Sequence, residues 1–319
     1  MMKRVFDSIA HLGREWKKEV SLALGMFDGV HRGHQVVLDS AATDAAKFCG
    51  TSVALTFPKH PASFLRPGKE PALIMNPTEK SKKLLSSGMG AVIMHPFDQE
   101  LSEVPAVEFV HFLKERIPNI RSICVGQNFR FGQNRTGDSV NLIAYGSKEE
   151  IDVKVAESLI LNDFPISSSR IREALSVGDM DQVNDMLGRK YLVSGEVVAG
   201  KSLGRTMGFP TLNLAWSPEA KPAYGVYAGW VEEAKSGQKM PAVANYGLRP
   251  TVSLGADLPL LEIHCLEQPD LSFWNEGAEL SMELSTMIRT EKKFAGVADL
   301  KLQIEQDCEI ARKLFSEGL

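Results

Sequence analysis

The rhythm of hydrophobic positions changes once along the chain. In the first half, short apolar runs alternate with stretches of helical apolar spacing. The runs are Leu22 to Leu24, Val53 to Phe57, Ala91 to Met94, Ser122 to Val125 and Ile151 to Val155; the helical stretches are Gln35 to Phe48, Thr78 to Ser87 and Pro105 to Arg116. This alternation predicts right-handed βαβ units, hence an α/β doubly wound parallel sheet with helices on both faces and ligands bound beyond the carboxyl ends of its strands. Asp179-Met-Asp-Gln182 then reads as a capping-box variant for a short helix over Val183 to Leu187, closed by Gly188. Beyond it come short strands with turns: Tyr191 to Val198, Thr211 to Ala215, Gly225 to Val231, Met240 to Asn245, Leu260 to Leu266 and Leu280 to Leu284. With one amphipathic helix from Val297 to Phe315, they predict a small antiparallel β-barrel with a terminal helix. The expected domains are 1–187 and 188–319, each long enough for its own core.

The first apolar run leads into Gly25-Met26-Phe27-Asp28-Gly29-Val30-His31-Arg32-Gly33-His34. Gly25 and Gly29 allow unusual dihedrals and close backbone approach. A strand, a tight turn and a helix N-terminus together present N–H donors and a positive dipole end, which suits a polyphosphate. His31 and His34 are candidate donors to oxygens that gain charge during phosphoryl or nucleotidyl transfer; an exposed polar loop is the alternative. Phe57-Pro58-Lys59-His60-Pro61 and Gly126-Gln127-Asn128-Phe129-Arg130-Phe131-Gly132 fall at the same sheet edge. Ile166-Ser167-Ser168-Ser169-Arg170-Ile171-Arg172 opens a further helix. Capping alone would explain its serines, but arginine early in a helix opposes the dipole, so Arg170 and Arg172 suggest an anion nearby.

In the second half, Gly195 to Ser202 satisfies the P-loop pattern G-x-x-x-x-G-K-[ST] letter for letter. A P-loop must follow a strand and open a helix, whereas here the pattern begins inside a strand and runs on to Gly204, Gly208 and Pro210, so it is rejected. What remains is a different glycine-rich loop, Gly200-Lys201-Ser202-Leu203-Gly204 to Gly208, feeding Phe209-Pro210-Thr211-Leu212-Asn213. Thr211 and Asn213, two apart on a strand, share a side and carry oxygens suited to Mg²⁺ beside phosphates. Glu262 and His264 oppose the apolar face of their strand. Glu262 is a candidate base for an alcohol attacking ATP, or simply an exposed strand carboxylate.

The segments from Gly25 to His34 and from Ser167 to Arg172 resemble the signature elements of nucleotidylyltransferases that build FAD from FMN and ATP, with Ser169 where threonine is usual. Gly200 to Leu214, Tyr224 to Trp230, Leu261 to His264 and Met287 to Phe294 resemble riboflavin kinases. In that order, from about residue 5 to 315, the chain is similar to the bacterial bifunctional riboflavin kinase/FAD synthetases. The resemblance implies riboflavin, FMN and ATP as substrates and Mg²⁺ as cofactor. It implies Glu262 as the base of the kinase reaction, Thr211 and Asn213 at the metal, and Gly200, Lys201, Gly204, Gly208 and Arg289 in binding. For adenylylation it implies catalytic roles for His31, His34 and Arg172, with Gly25, Phe27, Asp28, Gly29, Asn128, Ser168 and Ser169 in binding. Lys59 and Arg249 each put a cation where the family pattern has none. A nucleotidyltransferase with a degenerate barrel, or a non-catalytic flavin- or nucleotide-binding regulator, are the alternatives; the products formed from riboflavin and ATP separate them.

Composition narrows the partners. The 319 residues are 44% hydrophobic and 24% charged with a net charge of −4, which gives no general attraction to nucleic acid. Cys49, Cys124, Cys265 and Cys308 show no C-x-x-C spacing, Met1 to Gly13 has no continuous apolar core for a signal peptide, and no apolar run reaches the roughly 18 residues of a membrane span. The expectation is a cytoplasmic protein that binds small molecules, off the membrane.

Overall fold

The computed structural model describes residues 4–199, 207–248, 259–267 and 274–319. The chain divides into two compact units, Met1–Ser168 and Ser169–Leu319.

The first unit is built on six parallel strands, β1 (Arg4–Phe6), β2 (Val20–Leu24), β3 (Thr51–Thr56), β4 (Ala91–Met94), β5 (Ile120–Gly126) and β6 (Asp152–Ala156), in the order β1-β4-β3-β2-β5-β6. The chain works outward from β2 through β3 to β4, then returns to β5 on the other side. The switch point therefore lies between β2 and β5, where open α/β sheets bind ligands. The sheet is two-sided because its strands alternate. Leu22, Leu24, Val53, Leu55 and Ile123 face a core that includes Ile9 and Leu12 of helix α1 (Ile9–Glu15). Ala23, Ala54 and Cys124 face α2 (Arg32–Lys47) through Val37, Leu38 and Ala41. Small residues on both sides of that contact let α2 lie close, which fixes its N-terminus at the carboxyl end of β2. The helix starts at Arg32 with His31 as its N-cap, ahead of the Gln35 start expected from apolar spacing, because the first turn carries polar residues. A short helix α3 (Ala62–Leu65) follows β3, and α4 (Pro77–Ser86) begins with a capping box of Asn76 and Glu79.

The remaining α-helices among the described residues of this unit are α5 (Gln99–Glu103), α6 (Phe109–Arg116) and α7 (Ser139–Lys148); a hairpin of β7 (Ile160–Leu161) and β8 (Phe164–Pro165) lies near its end.

The second unit begins one residue into α8 (Ser168–Val177) and continues through α9 (Met180–Leu187) to a closed antiparallel barrel. Its strands are β9 (Tyr191–Val198), β10 (Leu212–Leu214), β11 (Gly225–Glu233), β12 (Lys239–Leu248), β13 (Pro259–Cys265) and β14 (Glu279–Thr290), ordered β10-β13-β12-β11-β14-β9. Tyr227, Tyr246, Leu261 and Ile263 are fully buried. Helix α9 is capped as the sequence predicts, with Asp179 accepting from Gln182 N and Gly188 in the left-handed region at φ 68°. It is tied to the barrel by Asn184, whose amide donates to Leu284 O (3.1 Å) and Ser285 O (3.0 Å) and accepts from Tyr191 N (2.7 Å). Two strand expectations change. Thr211 precedes β10 rather than lying in it, and β14 runs well past Leu284 to Thr290, taking Arg289 into the sheet. The terminal helix spans Val297–Ser316.

Candidate active sites

The loop joining β2 to α2 departs from ordinary backbone geometry. Phe27 (φ 49°), Gly29 (φ 81°) and Val30 (φ 40°) all lie in the left-handed region. For β-branched Val30 this costs on the order of 1–3 kcal/mol, so the surroundings must hold it. They do so at several points. The buried Asp28 carboxylate accepts from Ile74 N (3.0 and 3.2 Å), and Asp28 O accepts from Ser168 Oγ (2.9 Å). Met26 O accepts from Thr56 Oγ1 (2.7 Å) and from Lys80 Nζ (3.1 Å). Phe27's ring folds back over Gly25, where an added Cβ would meet it at 2.9 Å.

His31 has two functions in this geometry. Its Nδ1 accepts from His34 N (3.2 Å), capping α2, so in the neutral ring the proton sits on Nε2. The two imidazoles stack with centroids 3.5 Å apart and 16° between planes, and Phe27 meets His34 edge-on at 5.3 Å. Burial, reinforced by His31 and then Lys80, holds the His34 pKa well below the usual histidine range. A neutral His34 supplies one N–H, while positive potential comes from the N-terminus of α2. The arrangement can bind a polyphosphate and stabilise charge growing on its oxygens.

Asn128 lies in the exposed turn after β5, on the other side of the switch point from β2. Lys59 is exposed, and His60 Nδ1 accepts from Ala62 N (3.1 Å). Ser169, Arg170 and Arg172 follow Ser168 on α8 and fall in the second compact unit; Arg170 donates to Gln182 Oε1 at 3.3 Å.

On the barrel, strand register assembles the other predicted residues. Asn213 pairs with Glu262, Glu262 with Asn245, Asn245 with Val226, and Val226 with Arg289. Directly paired residues share a face. Val226 packs on Cys308 and Ala311 of the terminal helix, so this row lies on the outer face of the barrel while Leu261 and Ile263 point the other way. The alternation read around Glu262 is thereby borne out. His264 Nδ1 donates to Pro210 O (2.9 Å) and its ring meets Phe209 at 5.4 Å, steadying the segment that carries Thr211. Gly208 sits at φ 90°, a conformation that favours glycine. Gly200, Lys201, Gly204 and Arg249 lie outside the described residues.

Arg289 is held by Asp307 of the terminal helix, with Nε at 2.9 and 3.1 Å from the carboxylate oxygens and Nη2 at 2.8 Å. Asp307 is buried, while Arg289 retains about a fifth of its side-chain surface (21%). Asp307→Asn, which removes the negative charge but keeps one acceptor oxygen, is expected to cost about 2 kcal/mol, below the range for a fully buried pair because Arg289 is partly exposed. Thermal unfolding followed by far-UV circular dichroism measures it.

Asn245, Asp307 and Lys80 were not singled out by the sequence. An acid on the buried stripe of the terminal helix, beside Ile304, Cys308 and Ala311, was a usable signal for Asp307. Lys80 offered none, since it stands among Lys82 and Lys83 on a charged helix.

An α/β sheet with a phosphate-type loop at its switch point, in one chain with a barrel bearing amide oxygens and a carboxylate in register, defines a two-domain nucleotide-dependent phosphotransferase. Comparison with known proteins makes this specific. The family model for FAD synthetase matches residues 14–170 and that for riboflavin kinase residues 187–315. The bifunctional riboflavin kinase/FMN adenylyltransferase of Escherichia coli K12 is 32% identical, over 98% of each chain. That of Haemophilus influenzae is 34% identical, over 93% of this chain and 94% of its own. The chain belongs to the bifunctional riboflavin kinase/FMN adenylyltransferase family. A crystal structure described as a macrolide-efflux protein from Streptococcus pneumoniae also matches, with a TM-score of 0.83, 27% identity and coverage of 98% of this chain and 99% of that one. Among the described residues no helix is long and apolar enough to cross a membrane.

Proposed function

We propose that the two reactions of the family are divided between these sites. The barrel phosphorylates riboflavin to FMN with ATP, and the α/β unit joins FMN to AMP from a second ATP, releasing pyrophosphate. The register pairing of Asn213 with Glu262 carries the kinase reading, because it sets hard oxygen donors and a carboxylate side by side on one face. Glu262 takes the proton of the ribityl hydroxyl as that oxygen attacks the γ-phosphate, and ADP leaves. Thr211 and Asn213 would hold Mg²⁺, which neutralises charge on the phosphates; one or two protein oxygens with the rest from phosphate and water is its usual arrangement. The family resemblance assigns Gly200, Lys201, Gly204 and Gly208 to ATP binding in this reaction.

In the α/β unit, the FMN phosphate attacks the α-phosphate and the bond to pyrophosphate breaks. The N–H groups at the start of α2 and the imidazoles of His31 and His34 stabilise the charge that moves onto the phosphate oxygens, and the family resemblance gives Arg172 a catalytic role in the same reaction. The family resemblance gives Asn128, Ser168 and Ser169 roles in binding the nucleotide. No covalent enzyme intermediate is needed, since positioning and charge stabilisation suffice. The free thiols of Cys49, Cys124, Cys265 and Cys308 fit a reducing cytoplasm.

Incubation with riboflavin, ATP and Mg²⁺, with FMN and FAD separated by chromatography, is expected to show FMN first and FAD later, and chelation of Mg²⁺ to stop FMN formation. No FMN at any Mg²⁺ concentration would overturn the kinase assignment; FMN without FAD would overturn the other.

We also propose that the barrel is catalytic by itself. Residues 169–319 retain Asn184 and its three bonds to the barrel, whereas 189–319 lose them. Both fragments are expected to form FMN. The shorter is expected to melt about 5–10 °C lower, from roughly 1 kcal/mol per lost buried hydrogen bond. A folded 169–319 fragment without kinase activity would show that the barrel needs residues from the first unit.

A further inference from the structure

Lys80 is fully buried, yet it is not placed in either reaction by its family resemblance or by its sequence context. Its Nζ donates to Met26 O (3.1 Å), at the entrance to the strained loop after β2, and to Phe57 O (2.6 Å), at the entrance to the loop after β3. These are two of the loops that meet at the carboxyl edge of the sheet. The helix that carries Lys80 is itself anchored there, since Asp28 within the first loop binds Ile74 N just ahead of α4, and the capping box of Asn76 and Glu79 fixes the first turn. Asp28 and Lys80 thus close a circuit: the loop holds the approach to the helix, and the helix holds the loop. Burial lowers the lysine pKa to about 8, with Asp28 opposing the shift, so at neutral pH the group is mainly an ammonium donating to both carbonyls.

We propose that Lys80 is a positioning residue for adenylyl transfer, its ammonium clasping the Met26 and Phe57 carbonyls so that the two loops keep a fixed separation while Phe27 and Val30 stay in the left-handed region. The proposal rests on the reading of the β2–α2 loop as the adenylylation site. Phosphoryl chemistry that depends on alignment is sensitive to this kind of clasp, because displacement of a binding loop by about 1 Å costs up to ~10²-fold in rate. Thr56, which donates to the same Met26 carbonyl from β3, shares part of the task.

The test compares Lys80→Met with wild type in the full-length chain, measuring kcat and KM for FAD formation from FMN and ATP, riboflavin phosphorylation in the same preparation, and thermal unfolding. At a temperature well below unfolding, kcat for FAD formation is expected to fall by roughly 10²-fold while riboflavin phosphorylation is unchanged. A lowered melting temperature with wild-type kcat would show that Lys80 only stabilises the fold and would overturn the proposal. If Lys80→Met leaves the first unit unfolded, Thr56→Val supplies the test: a fall in kcat of about 3–10-fold supports the clasp, and an unchanged kcat overturns it. His31→Ala is run alongside. Wild-type FAD formation in that variant would sink the reading of the loop itself, separately from the role of Lys80.

Discussion

Glu262→Gln is expected to lower riboflavin phosphorylation by about 10²–10⁴-fold, the range for removal of a general base, while FAD formation from supplied FMN continues at the wild-type rate. The substitution isolates proton acceptance. Glutamine matches glutamate in size and keeps one acceptor oxygen, and strand β13 holds its backbone by register with Asn213 on one side and Asn245 on the other. Both neighbours are amides, so loss of the carboxylate charge leaves no nearby acid in that row to substitute for it. Initial rates of FMN formation at saturating ATP and Mg²⁺ provide the measurement, with thermal unfolding as the control on folding of the barrel and the second reaction as the control on the first unit. A wild-type rate would reduce Glu262 to a strand residue and leave the attacking hydroxyl to lose its proton to water. A proportional loss in both reactions would instead indicate a folding defect.

How far such a site can be read from sequence depends on the range of the interaction that builds it. Period-two alternation was enough to put Glu262 opposite the apolar face, because that rule needs only one strand. Its pairing with Asn245 needed the barrel to close, and nothing local in Ala244-Asn245-Tyr246 marks the asparagine. The P-loop pattern failed for a legible reason: Gly195 lies inside β9, where an added Cβ would meet Ala215 O at 2.4 Å, so this glycine serves close backbone approach. The start of α2 was misplaced since histidine is an uncommon N-cap, and apolar periodicity begins only where the helix first touches the sheet. Arg289 was found by resemblance, and the buried stripe of the terminal helix marks Asp307, but their pairing became visible only once β14 proved longer than its apolar core and came against that helix. A buried ion such as Lys80 is where sequence reading fails most completely, because the same letter occurs on exposed helical faces.

His31 allows capping and chemistry to be separated with two substitutions. His31→Ala removes both the cap on α2 and the Nε2–H donor, so it is expected to lower FAD formation by roughly 10²–10³-fold and to cost about 1 kcal/mol of stability. His31→Asn restores a side chain that caps well, with its oxygen able to accept from His34 N as Nδ1 does now. The asparagine amide is shorter than the imidazole and cannot extend an N–H to where Nε2 lies. Stability should therefore return to wild type in His31→Asn while FAD formation stays depressed by about 10²-fold, and riboflavin phosphorylation should be unaffected in both variants. Thermal unfolding and the two rates, measured on each protein, decide the matter. If His31→Asn recovers FAD formation along with stability, the histidine acts through the helix cap, and the charge developed in adenylyl transfer is borne by the helix N-terminus; if neither recovers, the stacked contact with His34 at 3.5 Å is the feature that both functions require.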